Sequence, residues 1–402
     1  MSHNKLVILV LSLPFLILPY SATAKSFTDT TAALDFYQTL ENTGKWIHIP
    51  SGPSLRLNDI HPHIPLVRHK LRLLGDLETN NFPLENPALF KDPELFDHPL
   101  SQALSRFQAR HGAKVDSILG RQSRRLLNIS PAQRTQQIRV NMARQQRFAT
   151  PTVPHYIQVN IPEFKLRLYD QDKIILDMKT VVGRKKRQTP VFDTHVNTLV
   201  VNPSWNVPKS IAFKDILPKW EQDENFLKSH NLQIRSGWGP DSDIIPAEQV
   251  VPSSMYQGTE YLRFFEPPSN RNTLGQFKFL SQSQYAIYLH DTPAKHLFKL
   301  TRRDFSSGCI RLEKAQDLAD ALLTLTKRPE QGQLSRLMRT DKTRNIPLRE
   351  PIPLYVVYWT AWLDGNGDIN FRDDIYKRDL SDMAKYKSEE NQISAFDQST
   401  TE

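Results

Sequence analysis

The sequence predicts an α+β protein: a helical first part, then a mainly antiparallel β domain interrupted by an insertion. Three observations carry this. Before about residue 148, apolar residues recur at helical spacing, as in Val67, Leu71 and Leu74, and in Leu100, Ala103, Leu104 and Phe107. From Tyr156 the period changes to two. Ile157, Val159 and Ile161, then Phe164, Leu166 and Leu168, alternate with polar residues. Over about 206–260 the alternation stops, in a stretch rich in Pro, Asp and Lys flanked or occupied by Trp205, Trp220 and Trp238.

The elements follow in order. Residues 1–24 read as a cleaved leader: a polar start with Lys5, an uncharged apolar run over Leu6–Tyr20, and the small-residue exit Ala22-Thr23-Ala24. The run is short for a spanning helix, so a soluble exported chain with no membrane span is expected. Losing the leader removes only Lys5 and takes the formal charge from +9 to +8. A basic exported chain suits anionic envelope polymers and makes nucleic acid a poor partner. Residues 25–60 give no clear pattern and are assigned as a scaffold segment. Residues 61–129 predict three short helices, the first stopped at Gly75. Ser130, Pro131 and Gln133 form a capping box that opens a linker helix over 130–152. The β domain spans 153–328, with turns at Pro162-Glu163 and Asp170–Lys173. Its insertion, 206–260, is placed as a lid. Arg184-Lys185-Lys186-Arg187 reads as a solvated hairpin tip. Strands resume at Gln276–Leu280 and Tyr285–His290, and Leu318, Leu322 and Leu325 mark a helix. Residues 329–380 predict a C-terminal hairpin, Leu354–Leu363 with Ile369–Phe371, and 381–402 a frayed polar tail.

The chemistry concentrates around a single thiol. Cys309 is the one cysteine of the chain, so no internal disulfide can form, and an idle thiol is a liability in an oxidising compartment. A lone cysteine is often a small buried hydrophobe, but the polar Ser306-Ser307-Gly308 before it argues for reactivity. His290 ends an apolar strand and can serve as base, since the thiolate is the nucleophile. Gly308 allows close backbone approach, and its amide and that of Cys309 could receive a carbonyl oxygen. Arg311 could bind a carboxylate, or simply pair with Asp304 or Glu313. Together these residues point to acyl transfer. Other signals are weak. His61 and His63 lack a third metal ligand, and Asp364–Asp368 fails as a calcium loop because Ile369 and Ile375 stand where Gly and Glu are needed.

The segment His290-Asp291-Thr292, followed by Ser306-Ser307-Gly308-Cys309-Ile310-Arg311, resembles the signature of the L,D-transpeptidases of YkuD type. Tyr156–Pro162, Val182-Gly183, Thr189–Phe192, Asn202–Pro208 and Asn272–Phe279 are similar to other parts of that domain. Ala103–Gly112 resembles a peptidoglycan-binding repeat. The order of parts resembles the large periplasmic enzymes of Gram-negative bacteria. The chain departs from many relatives in having Ser307 for histidine and Asp291 for glycine, which leaves the residue orienting His290 open.

The resemblance implies that Cys309 attacks the carbonyl between the diamino acid and D-alanine of a peptidoglycan tetrapeptide stem. D-alanine leaves, protonated by His290, and an amine takes the acyl group, giving a 3→3 cross-link among other products. It implies Gly308 in an oxyanion hole, with Arg311, Ser306, Ser307 and Thr292 binding substrate. It implies glycan strands and stem peptides as partners, and no metal or organic cofactor. A sortase-like cysteine enzyme and an inactive wall-binding protein are the rival readings.

Overall fold

A computed structural model of the chain describes residues 25–77, 92–148, 152–237, 242–256, 262–340, 342–386 and 388. The leader expected over 1–24 lies outside the described residues, as does Trp238.

Among the described residues, five helices form the first part: α1 (Thr30–Asn42), α2 (Ile64–Leu73), α3 (His98–Arg110), α4 (Arg121–Leu127) and α5 (Pro131–Gln146). The three helices expected over 61–129 are α2 to α4. The stretch 25–60, which shows no pattern in sequence, contains α1, started by Asp29, whose carboxylate accepts from the Ala32 N–H at 2.8 Å. The capping box of α5 is present in full, with Gln133 N–H donating to Ser130 Oγ and Ser130 N–H donating to Gln133 Oε1.

Strands β1 (His155–Asn160), β2 (Lys165–Asp170), β3 (Lys173–Gly183) and β4 (Phe192–Val201) open the second part. Strands β5 (Trp205–Asn206), β6 (Gln233–Ser236), β7 (Ile244–Ile245) and β8 (Leu262–Glu266) belong to the insertion. They form a separate sheet in the order β5-β8-β6-β7, over a core of its own that includes Leu217, Trp220, Ile234 and Phe264. After it come β9 (Phe277–Ser281), β10 (Leu289–His290), β11 (Asp304–Ser306), β12 (Ile310–Leu312), β13 (Arg344–Val357), β14 (Ala361–Leu363) and β15 (Ile369–Phe371).

The main sheet runs β11-β3-β12-β10-β9-β4-β13-β1-β2, and β2 also pairs with β3. That last pairing closes the sheet into a barrel, which leaves fewer free edges. Most ladders are antiparallel, but β1–β13, β10–β12 and β3–β11 are parallel, so the sheet is mixed. Inside lie Ile157, Val159, Leu166, Leu168 and Phe279, along with Leu318 and Leu322 of the helix Ala315–Leu325. Burying each such leucine stabilises the fold by roughly 1.5–3 kcal/mol, and this helix follows shortly after Cys309 and β12.

Three boundaries differ from expectation, the first being the strand expected over Tyr285–His290, which is only Leu289–His290. Leu354–Val357 belong to β13, in the middle of the main sheet, so the hairpin is only Ala361–Leu363 with Ile369–Phe371. A strand continuous in sequence with a hairpin cannot be told from it by alternation alone. The hairpin does not cap the barrel; Ala361, Ile369 and Phe371 complete the core of the helical part. The chain at 379–386 is helical, not frayed, because Arg144 of α5 pairs with Asp379 and Asp382 at 2.8 and 2.7 Å.

Candidate active site

Short β10 is held between β9 and β12, with His290 opposite Lys278 on one side and Arg311 on the other. The same parallel register sets Tyr288 beside Cys309, and the Ile310 N–H donates to the Tyr288 carbonyl at 3.2 Å. Tyr288, just ahead of β10, and His290 have ring centroids 5.9 Å apart. The barrel therefore collects Cys309, His290, Tyr288, Lys278 and Arg311 at one place.

His290 is 3% exposed. Its Nδ1 lies 2.5 Å from the Asp291 carbonyl oxygen. A carbonyl only accepts, so Nδ1 carries the proton in this contact, and a backbone hydrogen bond at Leu274 also holds the ring. The orienting group left open by the sequence is thus a backbone carbonyl. The Asp291 carboxylate points elsewhere, accepting from the Gln276 N–H at 2.9 Å and pairing with Lys295 at 2.6 Å. That approach requires Gly275, because a Cβ there would lie inside the Asp291 carboxylate. Burial first, then the Arg311 charge, lowers the His290 pKa to about 3.

Burial pushes the Cys309 thiol up. Opposing that are hydrogen bonds from the Tyr288 backbone and side chain and the charges of Lys278 and Arg311, all of which favour the thiolate. At neutral pH the thiol and the imidazole therefore both rest neutral, and the thiol lies beside groups that stabilise its anion once it forms. Tyr288 is further held by a hydrogen bond with Trp205, at the base of the insertion, and its ring lies 3.9 Å from Lys278 Nζ.

Arg311 does not pair with either acid considered for it. Asp304 is taken by Arg302 at 2.6 Å and Glu313 lies 3.6 Å from Lys179. Its Nε is buried with no hydrogen-bond partner, leaving a guanidinium whose charge faces Cys309.

The cysteine loop is strongly self-bonded. Ser306 Oγ donates to the Cys309 carbonyl at 2.6 Å and accepts from the Gly308 N–H at 3.1 Å. Gly308 has φ +123°, a conformation that side chains resist, and its carbonyl accepts from Thr189 Oγ1 at 2.7 Å. The Gly308 amide expected to meet an oxyanion is thus engaged inside the loop. Ser306, 2% exposed, makes both bonds inside the loop. Thr292, also 2% exposed, accepts from the Ala294 N–H at 3.2 Å in its own turn. Ser307 is bound by Arg187, whose Nη1 donates to its Oγ at 2.9 Å.

Arg187 corrects another expectation. The 184–187 tip is not simply solvated: Arg184 and Arg187 both reach Asp215 of the insertion. Lys278, Tyr288 and Thr189 also meet here, and none of them is a candidate site residue from the sequence alone. Tyr288 is two residues before His290, just ahead of β10, which is a usable signal. Lys278 faces His290 only through the sheet register, which leaves no local trace.

His61 and His63 stack edge to face at 4.4 Å, and no group of three or more metal-ligating side chains is found among the described residues. No helix among them is long and apolar enough to cross a membrane.

Residues 154–333 match the YkuD family, described as an L,D-transpeptidase catalytic domain. A Haemophilus influenzae protein provisionally named an L,D-transpeptidase is 35% identical over 245 residues, 61% of this chain and 48% of that protein. The chain thus spans about half the length of this relative. Similar solved structures include an L,D-transpeptidase from Mycobacterium smegmatis, at 10% identity and TM-score 0.25 over 51% of this chain and 58% of that one. Another, from Stackebrandtia nassauensis, has 10% identity and TM-score 0.27 over 77% and 96%. Scores this low add nothing to the family match.

Proposed function

With residues 154–333 a catalytic domain of the YkuD L,D-transpeptidase family, we propose that the chain is a cysteine acyltransferase acting on peptidoglycan stem peptides in the periplasm of a Gram-negative bacterium. The observation that carries this is that the β9–β10–β12 register gathers a buried His290, held on a backbone carbonyl, with a thiol flanked by Tyr288, Lys278 and Arg311.

In the proposed reaction, His290 Nε2 takes the thiol proton as Sγ attacks the carbonyl between the diamino acid and D-alanine. Lys278, Arg311 and the Tyr288 hydroxyl offset the cost of charging a buried sulfur. The Cys309 N–H receives the oxyanion, while Gly308 supplies the backbone bend that aims it. The imidazolium, disfavoured by burial, returns its proton to the leaving amine. The C–N bond breaks, D-alanine departs and a thioester remains. An amine then attacks the thioester, giving a 3→3 cross-link and restoring the thiol. The insertion, resting on Trp205 and Asp215, covers the site and limits hydrolysis of the thioester. The helical part with β14 and β15 acts as a positioning module for glycan strands.

Intact-protein mass spectrometry after carbapenem treatment tests the assignment. One adduct is expected on the wild-type chain, mapping to the peptide with Ser306–Arg311, and none on Cys309→Ser. An adduct on Cys309→Ser, or none on the wild type, would refute Cys309 as the nucleophile.

A further inference from the structure

A charged contact joins three parts of the molecule that are distant in sequence. Arg184 and Arg187, at the tip between β3 and β4, both reach the carboxylate of Asp215: Arg184 Nη2 lies 3.4 Å from Oδ1 and Arg187 Nη1 donates to Oδ2. The same guanidinium groups reach Ser307 Oγ, at 2.9 Å from Arg187 and 3.5 Å from Arg184. Ser307 stands two residues before the nucleophile. Asp215 lies in a π-helical turn, Ala212–Ile216, between the short helices Lys209–Ile211 and Leu217–Trp220 of the insertion. Single π turns inside α-helices recur at functional sites.

We propose that Arg184 and Arg187 form a carboxylate-binding site at the rim of the cysteine loop, which Asp215 fills when no substrate is bound. The terminal carboxylate of the donor stem takes Asp215's place when the stem enters. This inference rests on the acyl-donor reading given above.

Three features support it. The first is charge. The tip carries four cations in succession, Arg184-Lys185-Lys186-Arg187, and Asp215 is the one acid paired with the tip among the described residues. One carboxylate shared by two guanidinium groups leaves net positive charge and unused donors. The second is partial burial. The Arg187 side chain is 18% exposed and the Asp215 side chain 31%, so the contact is neither sealed in the core nor lost in solvent. A pair of this kind is exchangeable at modest cost. The third is position. The D-alanine carboxylate lies a single residue beyond the scissile carbonyl, and Arg187 lies one hydrogen bond from the loop that presents Cys309. The site would read the stem's length: a carboxylate displaced by a further residue would not meet both the arginines and the thiol. Exchange of Asp215 for substrate also frees the insertion from the cysteine loop, so substrate entry and lid release become one event.

The test compares D-alanine release from a tetrapeptide stem as the free acid and as its C-terminal amide. The wild type is expected to prefer the acid by about tenfold in kcat/KM, as suits a charge-assisted bidentate contact. Arg184→Gln with Arg187→Gln should bring the ratio close to one, and Arg187→Lys should restore part of it. Asp215→Asn, which removes the internal competitor, should lower KM for the acid. If the double glutamine variant misfolds by circular dichroism, Arg184→Lys with Arg187→Lys replaces it and should give an intermediate ratio. Release by folded variants with the wild-type ratio would overturn the carboxylate site and leave the transpeptidase reading standing. No release from either peptide by the wild type would remove both.

Discussion

Acid should destabilise this protein through His290. In the fold the imidazole is 3% exposed and its pKa is lowered to about 3, chiefly by burial and by Arg311. In the unfolded chain it returns to about 6.5. The folded value is the lower, so the contribution of the neutral ring is complete above about pH 6.5 and is lost as pH falls towards 3. At about 1.36 kcal/mol per unit, the full shift corresponds to roughly 5 kcal/mol, of which about half is lost by about pH 4.5. His111, stacked between Phe107 and Phe371, is also held well below its ordinary range and adds to the loss. The comparison with His290→Gln cancels that share. Urea unfolding followed by tryptophan fluorescence at about pH 7.5 and 4.5 gives the stability change for both proteins. The wild type should lose about 2–3 kcal/mol more than the variant. Equal losses would show that His290 is not buried as a neutral base, and the reasoning about its tautomer would fail with it.

Cys309 alkylation by iodoacetamide should rise with pH and reach its half-point above the ordinary thiol range of about 8.5, because burial raises the thiol; a plateau below pH 7 would indicate a resting ion pair instead. Tyr288→Phe should slow carbapenem acylation, measured by stopped-flow fluorescence, without moving the thermal midpoint by more than a few degrees. Gly308→Ala should cost about 1–3 kcal/mol of stability by denaturant titration, since φ is +123° and the new Cβ meets Ile287 Cδ1 at 3.0 Å. Ser130→Ala should remove about 1 kcal/mol by the same measurement, through loss of the α5 cap.

Much of the fold was legible because periodicity reports burial. The alternation of Ile157, Val159 and Ile161 and the stripe at Leu100, Ala103, Leu104 and Phe107 each became buried faces. Helix α1 was not legible because its segment follows no recognised pattern, though Asp29 is an ordinary cap. Cys309 and His290 stood out from their types and motif. Lys278 did not, since its place depends on a β9–β10 register fixed by the whole barrel. The role of Arg187 is hidden for a related reason: four adjacent cations look like a solvated tip, and only the insertion's return to the same place supplies Asp215.

The closure between residues near 26 and near 368 has a consequence for how the chain is made. Ser26 bridges Asp368, the Phe27 N–H donates to the Gly367 carbonyl at 2.8 Å, and Phe371 packs edge to face on Tyr37 at 5.5 Å. Synthesis supplies residues in order, yet the helical part lacks a piece of its core until Ala361–Phe371 appears. The barrel likewise waits for β13. Neither half can therefore finish before the other is nearly complete, and both settle in a late, shared step. A chain cut short before residue 344 would leave two open cores at once, which makes truncated products conspicuous targets for proteolysis.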